Sequence, residues 1–198
     1  MFSLRKEQIP VLVLNVIILA VFAVLFSYRQ NWEFISYIGL IIFFLLVILL
    51  TNKKVHYPNI LLWGLTLWAF MHLAGGGIRI NNETLYGQMI FTISETYAFL
   101  RYDQVVHMIG FGVATLLMYY LVKPILKPEH ATRWVIFSIV IGMAGLGVGA
   151  LNEIVEFFVT VFVPENGVGG YINTSLDLVS DLIGAAIAVI YINMKELK

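Results

Sequence analysis

The stretch from Ile9 to Phe26 contains no charged side chain, and five more long apolar runs follow it: Phe34–Leu50, about Asn59–Ala74, Gln104–Val122, residues 134–158 and Leu176–Met194. Runs of roughly 16–20 residues are long enough, at about 1.5 Å per helical residue, to cross a hydrocarbon core about 30 Å thick. Few other folds accommodate six such runs. The chain is 60% hydrophobic and 12% charged, against about half and a quarter for a soluble domain. The expected fold class is therefore an all-α integral membrane protein, a single domain built as a bundle of six transmembrane helices. The first run is too long for a signal peptide and lacks a small-x-small cleavage site. The fifth is longer than a span requires and is expected to tilt, protrude or break at its glycines.

Lys and Arg distribute unevenly among the connections. Arg5, Lys6, Lys53, Lys54, Lys123, Lys127, Arg133, Lys195 and Lys198 fall on one side of a six-span topology, and only Arg29, Arg79 and Arg101 on the other. The side richer in these residues is normally cytoplasmic, so both termini are expected there. The longest connection, Gly75–Arg101, then lies outside. Its Leu85, Met89, Ile93, Tyr97 and Leu100 recur at roughly helical spacing, which fits an amphipathic helix on the membrane surface as well as it fits a plain connecting loop.

Against this apolar background, the segment Gly142–Phe158 places Glu153 and Glu156 on one helix face at the end of a glycine-rich stretch. Charged side chains inside a bilayer are costly and read as functional. The topology brings others to the same depth. Asp103 opens the fourth span from outside, with His107 one turn deeper. Glu153 follows Trp134 by 19 residues, about 28 Å of helix, which puts it near the outer boundary. Asp177 opens the sixth span, with Asp181 one turn deeper, and His72 ends the third. Small residues extend the same faces inward: Gly110 and Ala114; Gly142, Gly145 and Gly149; Ala185 and Ala188. Such residues let membrane helices approach closely, so the polar groups should point into the bundle.

Five carboxylates and two histidines sharing a low-dielectric pocket, with Arg101 the one fixed cation expected nearby, must either share protons or hold a cation. Asp, Glu and His suit a hard or borderline divalent metal, with Asp103, His107, Glu153, Asp177 and Asp181 as expected ligands. Glu156 and His72 are the expected general acid or base. Blander roles exist as well. Asp103 and Asp177 would serve as helix N-caps, the latter after Asn173-Thr174-Ser175, and His72 would bond a carbonyl. His56 and His130 fall in loops. Asn82-Glu83-Thr84 and Asn173-Thr174-Ser175 match the N-glycosylation sequon on outer loops, a signal without meaning in a bacterium. The run from Gly145 to Gly149 lacks the Lys-Ser/Thr of a phosphate loop.

Other classes are excluded. Twelve basic and twelve acidic residues cancel, and no basic-aromatic patch suggests nucleic acid. Without Cys there is no disulfide, thiolate metal site or thiol nucleophile. No Ser-His-Asp order or nucleophile elbow occurs, and a metal-independent phosphatase would want more Arg or Lys than Arg101.

Four motifs in order, His72-x-x-Gly75-Gly76, Arg101-Tyr102-Asp103-x-x-x-His107-x-x-Gly110-Phe111, Glu153-x-x-Glu156 and Asn173-Thr174-x-x-Asp177-x-x-x-Asp181-x-x-Gly184-Ala185, resemble those of YjdF-type bacterial inner-membrane proteins, a family of unknown function. More distantly, the Asp-x-x-x-His, the Glu and the sixth-span Asp resemble VanZ-like proteins, one of which is associated with teicoplanin resistance. The resemblance covers about residues 55–190 and implies a multi-pass protein of a bacterial plasma membrane, with no established reaction. The expected function is a metal-dependent hydrolase or transferase acting on a membrane lipid or lipid-linked envelope substrate at the outer face. A proton- or cation-coupled transporter and a non-catalytic, envelope-protective lipid- or antibiotic-binding protein are the alternatives.

Overall fold

The computed structural model describes residues 4–92, 100–126, 134–163 and 166–196. Six helices are long and apolar enough to cross a membrane: α1 (Ile9–Tyr28), α2 (Trp32–Val55), α3 (Asn59–Gly77), α4 (Tyr102–Val122), α5 (Trp134–Phe162) and α6 (Tyr171–Glu196). They run up and down. At one end Arg5 and Gln8 donate to the Tyr57 carbonyl at 2.6 and 3.1 Å, and Lys123 meets Glu196 at 2.6 Å. At the other, Arg29 donates to the Gly77 carbonyl at 2.5 Å, and Tyr102 to that of Met71 at 3.1 Å. Both termini therefore share an end of the bundle.

Several helices extend past the apolar runs that announce them. α2 continues to Val55 and ends at His56, which is exposed and in the left-handed region at φ 57°. α6 starts at Tyr171, well before Leu176, so Asp177 lies inside the helix. α5 is continuous through Gly142, Gly145, Gly147 and Gly149. Its 29 residues span about 43 Å, so it exceeds a bilayer core by tilt or protrusion, not by a break.

The connection after α3 departs from the expected alternatives in its described part. Arg79–Ile80 (β1) pairs antiparallel with Glu83–Thr84 (β2), in the register Arg79↔Thr84 and Ile80↔Glu83. Asn81 and Asn82 turn the hairpin at φ 52° and 69°, the doubly positive pair that a two-residue turn of this hand demands. A 3-10 turn, Leu85–Gly87, follows, and Met89 bridges to Arg101. Leu85 and Met89 thus belong to no surface helix; Ile93 and Tyr97 lie outside the described residues, as do His130, Lys127, Arg133 and Lys198.

Small residues set the helix spacing. A Cβ on Gly184 would overlap the Met108 carbonyl and lie 2.9 Å from the Gly112 nitrogen, so α4 and α6 touch backbone to backbone. The expected α5 face is borne out: Gly142 meets Val189, Gly145 meets Thr115 and Gly149 meets Asp181. Gly110 is different, since it accommodates Trp68 of α3. The opposite side of α5 exposes Val135, Ile139, Met143, Leu151 and Phe158. An apolar face of that extent is ordinary against lipid and a liability in water.

Two outcomes follow. Gly184→Ala should lower stability in detergent by about 1–3 kcal/mol through overpacking, whereas Gly39→Ala, with nothing within 4 Å, should change it by less than about 0.5 kcal/mol; equal thermal midpoints for the two variants would refute the backbone contact. Because the chain has no Cys, single cysteines report topology cleanly. Glu83→Cys should react with an impermeant maleimide in intact cells and Lys54→Cys only after lysis; the reverse pattern would invert the orientation.

Candidate functional site

α4, α5 and α6 meet around His107, and the polar groups form two layers one helical turn apart. In the inner layer, His107 Nδ1 lies 2.9 Å from Asp181 Oδ1 and 4.0 Å from Glu153 Oε1. Asp181 is fully buried, and His107 is 6% exposed. The glycine at 149 makes this possible, because a side chain there would overlap Asp181 Oδ2. In the outer layer, Asp103 Oδ1 stands 3.9 Å from His107 Nε2. Gln104 donates to Asp177 Oδ1 at 3.1 Å; Asn173 donates to Asp177 Oδ2 at 2.5 Å and to Asp103 Oδ2 at 3.3 Å. Glu156 accepts from Asn152 at 2.9 Å.

Neither Asp103 nor Asp177 is a cap. α4 begins at Tyr102, so Asp103 sits within its first turn, where its charge also suits the helix dipole. Asp177 is fully buried in α6. Asn173 is likewise no loop sequon, since its amide bridges two carboxylates of the site.

Three buried carboxylate oxygens stand out. Both oxygens of Glu153 and Oδ2 of Asp181 lack a partner in full hydrogen-bond geometry among the described residues, although Asn152, Thr174 and His107 lie close to Glu153. An ionised, buried, partnerless carboxylate is strongly unfavourable, so these atoms call for a proton or a cation. Ligand atoms of Asp103, His107 and Asp177 lie within 4.8 Å of one another, and so do those of His107, Glu153 and Glu156. Modest contraction would bring either group to the separations of a coordination sphere. The donor types and spacing thus fit a divalent cation.

A cavity of about 630 Å³ opens beside the cluster, at the end of the bundle away from the termini. Its walls come from all three inter-helix connections of that end. Asp103, His107, Glu156 and His72 line it, with Asn152 and Asn173; Glu153, Asp177 and Asp181 do not. His72 is set apart from the acids by an aromatic box of Trp68, Tyr37, Phe34 and Tyr86. Tyr86 Oη lies 2.6 Å from His72 Nδ1. Burial, reinforced by the charges of Asp103 and Glu156, pushes the Tyr86 phenol well above its ordinary range. It therefore stays protonated, and its hydrogen bond with Nδ1 runs in the direction that the His72 tautomer sets. His72 bonds a phenol, not a main-chain carbonyl.

Residue-by-residue reading of ionisable groups missed the neutral partners Gln104, Asn152, Asn173 and Tyr86. Asn152 and Asn173 carried a signal, being polar amides four residues from an acid on a helix face. Gln104 carried the signal of an N3 capping residue but none for Asp177, and Tyr86 carried none, because those partners come from other elements. Arg101 was expected as the one fixed cation near the acids; Arg29 and Arg79 line the same cavity as it does.

The family model described as "Predicted membrane protein (DUF2238)" matches residues 9–196, and the chain belongs to that family. No curated protein and no solved structure matches it.

Gln104 also accepts from the Arg101 backbone N–H at 2.7 Å, so it ties the start of α4 to α6. Gln104→Leu should destabilise by about 1–3 kcal/mol, since it strands buried polar groups. Adding Asp177→Leu should recover part of that loss, as chemical denaturation of both variants will measure. Additive losses would mean that the two residues are not partners.

Proposed function

We propose that this member of the family is a metal-dependent hydrolase or transferase acting on a lipid or lipid-linked envelope substrate at the outer face of a bacterial plasma membrane. The observation that carries the reading is the set of partnerless buried oxygens on Glu153 and Asp181 around His107, next to a cavity open at the non-terminal end. The Lys and Arg distribution puts that end outside. The motif resemblance to YjdF-type proteins and, more loosely, to VanZ-like ones supports the same bacterial envelope setting.

In this reading Asp181 orients the imidazole. An ionised Asp181 accepts Nδ1–H, leaving the Nε2 lone pair toward Asp103, as a carboxylate fixes a metal-binding histidine. Asp103, His107 and Asp177 then hold the cation, with Glu153 completing the charge from α5. A bound divalent cation would supply a Lewis acid for a phosphoryl or acyl oxygen and lower the pKa of water. Glu156, on the cavity wall and oriented by Asn152, is the base that removes the proton from the attacking water or alcohol. In the tautomer whose Nδ1 accepts from Tyr86, His72 would present Nε2–H to the cavity as a donor to developing negative charge.

A transporter would need the polar path to continue. Beyond His107 toward the terminal end, the α4–α5–α6 interface is filled by Phe111, Thr115, Tyr119, Ile141 and Ile192, all buried. That packing weighs against a proton or cation relay across the membrane.

Protein purified in detergent should bind about one Mn²⁺, Zn²⁺ or Mg²⁺ per chain by elemental analysis and titration. His107→Ala should weaken binding by tenfold or more, while Asp181→Asn should weaken it roughly 10–100-fold by releasing the imidazole. Metal-free protein that ignores all three ions would sink the reading, and unchanged affinity in His107→Ala would relocate the site.

A further inference from the structure

The three basic residues of the outer face lie far apart in sequence yet line one cavity. Arg29 ends α1, Arg79 opens β1 and Arg101 precedes α4. Short contacts hold them together. Arg29 donates to the Gly77 carbonyl, two residues before Arg79, and Gln88 links the hairpin to α4 by donating to the Ile80 carbonyl at 3.5 Å and accepting from the Tyr102 N–H at 2.9 Å. Leu100, at φ 76°, turns the chain so that its carbonyl accepts from Ile90 and Phe91 and Arg101 enters the cavity wall.

None of the three arginines has a carboxylate within 4.0 Å among the described residues, although Glu33, Asp103 and Glu156 line the same cavity. Glu33 instead accepts from the Gly167 backbone N–H at 3.0 Å. Arg101 Nε is buried with no hydrogen-bond partner among the described residues. Arg29 and Arg79 are exposed and Arg101 is half-buried; guanidinium groups that line a cavity with no carboxylate partner among the described residues suit the planar, multidentate recognition of phosphate. The mouth is set for a lipid: exposed Tyr28, Trp32, Phe91, Phe162 and Tyr171 flank the helix ends there, the amphipathic belt of a headgroup boundary.

We propose that Arg29, Arg79 and Arg101 form the phosphate subsite of the cavity, and that the substrate is a phosphate-bearing lipid whose headgroup lies between the arginines and the His107 cluster. This rests on reading the cavity as a substrate site, and it replaces the open choice between acyl and phosphoryl chemistry by the latter. The carboxylate wall and the arginine wall have separate tasks. The first holds a cation, the second compensates the phosphate oxygens that the cation does not reach.

The test is native mass spectrometry of the full chain with dioleoyl phosphatidic acid against dioleoyl phosphatidylcholine, at matched acyl chains. Phosphatidic acid should be retained at least tenfold better. Each of Arg29→Gln, Arg79→Gln and Arg101→Gln should cost roughly tenfold, the equivalent of one charged hydrogen-bonding group, and Arg101→Lys should restore only part of the loss. Thermal midpoints check that the variants are folded. Inorganic phosphate that competes at millimolar concentration supports the phosphate chemistry and shows that the headgroup alone suffices; failure to compete supports a site that needs the acyl chains. Retention is measured again after metal depletion with EDTA: a preference for phosphatidic acid that persists in metal-free protein supports the arginine subsite whatever becomes of the metal reading, and a preference lost with the metal would overturn it. Equal retention of the two lipids, unchanged retention in the triple Arg→Gln variant, or an equal loss in Lys53→Gln/Lys54→Gln at the opposite end would overturn the proposal.

Discussion

The backbone contact of α4 with α6 governs the rest of the structure. Gly112 and Gly184 remove the side chains that would hold the two helices apart, and the Met108 carbonyl lies in the gap. Only at that separation does the short imidazole of His107 reach Asp181 at 2.9 Å. α5 then closes the third side, with Gly145 against Thr115 and Gly149 against Asp181. Close packing is a requirement in hydrocarbon, where helices gain little from burying apolar surface and an unmet polar group has no water to turn to.

The same packing explains how so many acids coexist. Among the described residues no Lys or Arg lies within 4.0 Å of Asp177 or Asp103; amides hold them, with Asn173 donating to both and Gln104 to Asp177. Asp181 has His107 for one oxygen, and Glu156 has Asn152. Glu153 is the exception, with neither oxygen in full hydrogen-bond geometry among the described residues, and it comes from α5, which lies between α4 and α6 in sequence. A site in which all carboxylates but one are partly or wholly satisfied is organised around what the remaining one awaits, which is the physical core of the proposed cation site.

Much of this was legible in the residues. The six apolar runs give the six helices, and the depth of His107, Glu153 and Asp181 follows from counting along spans whose direction Lys and Arg suggest. The small-residue face of α5 follows from i,i+4 spacing. Other features were hidden by the rules that find membrane spans. Hydropathy stops where polar residues start, so it cut the first turn from α6 and made Asp177 look like a cap. The apolar spacing of Gly75–Arg101 offered a surface helix or a plain loop, although Asn81-Asn82 is a pair suited to the tight hairpin turn that folds there. Counting cations by span proximity left Arg29 and Arg79 out of the cavity they line.

The sequence by itself determined a membrane bundle and the level at which its ionisable groups lie, because hydrophobic length and helical rise are properties of the chain alone. Tertiary structure decided which groups touch: that Asp181 bonds His107, that Asn173 and Gln104 satisfy Asp177, that Gly110 serves Trp68 while Gly112 serves α6, and that three distant arginines line one cavity. The reason is geometric. Depth is fixed by counting residues along one helix, whereas partnership depends on the rotation and separation of several, and these are set by side chains on elements far apart in sequence.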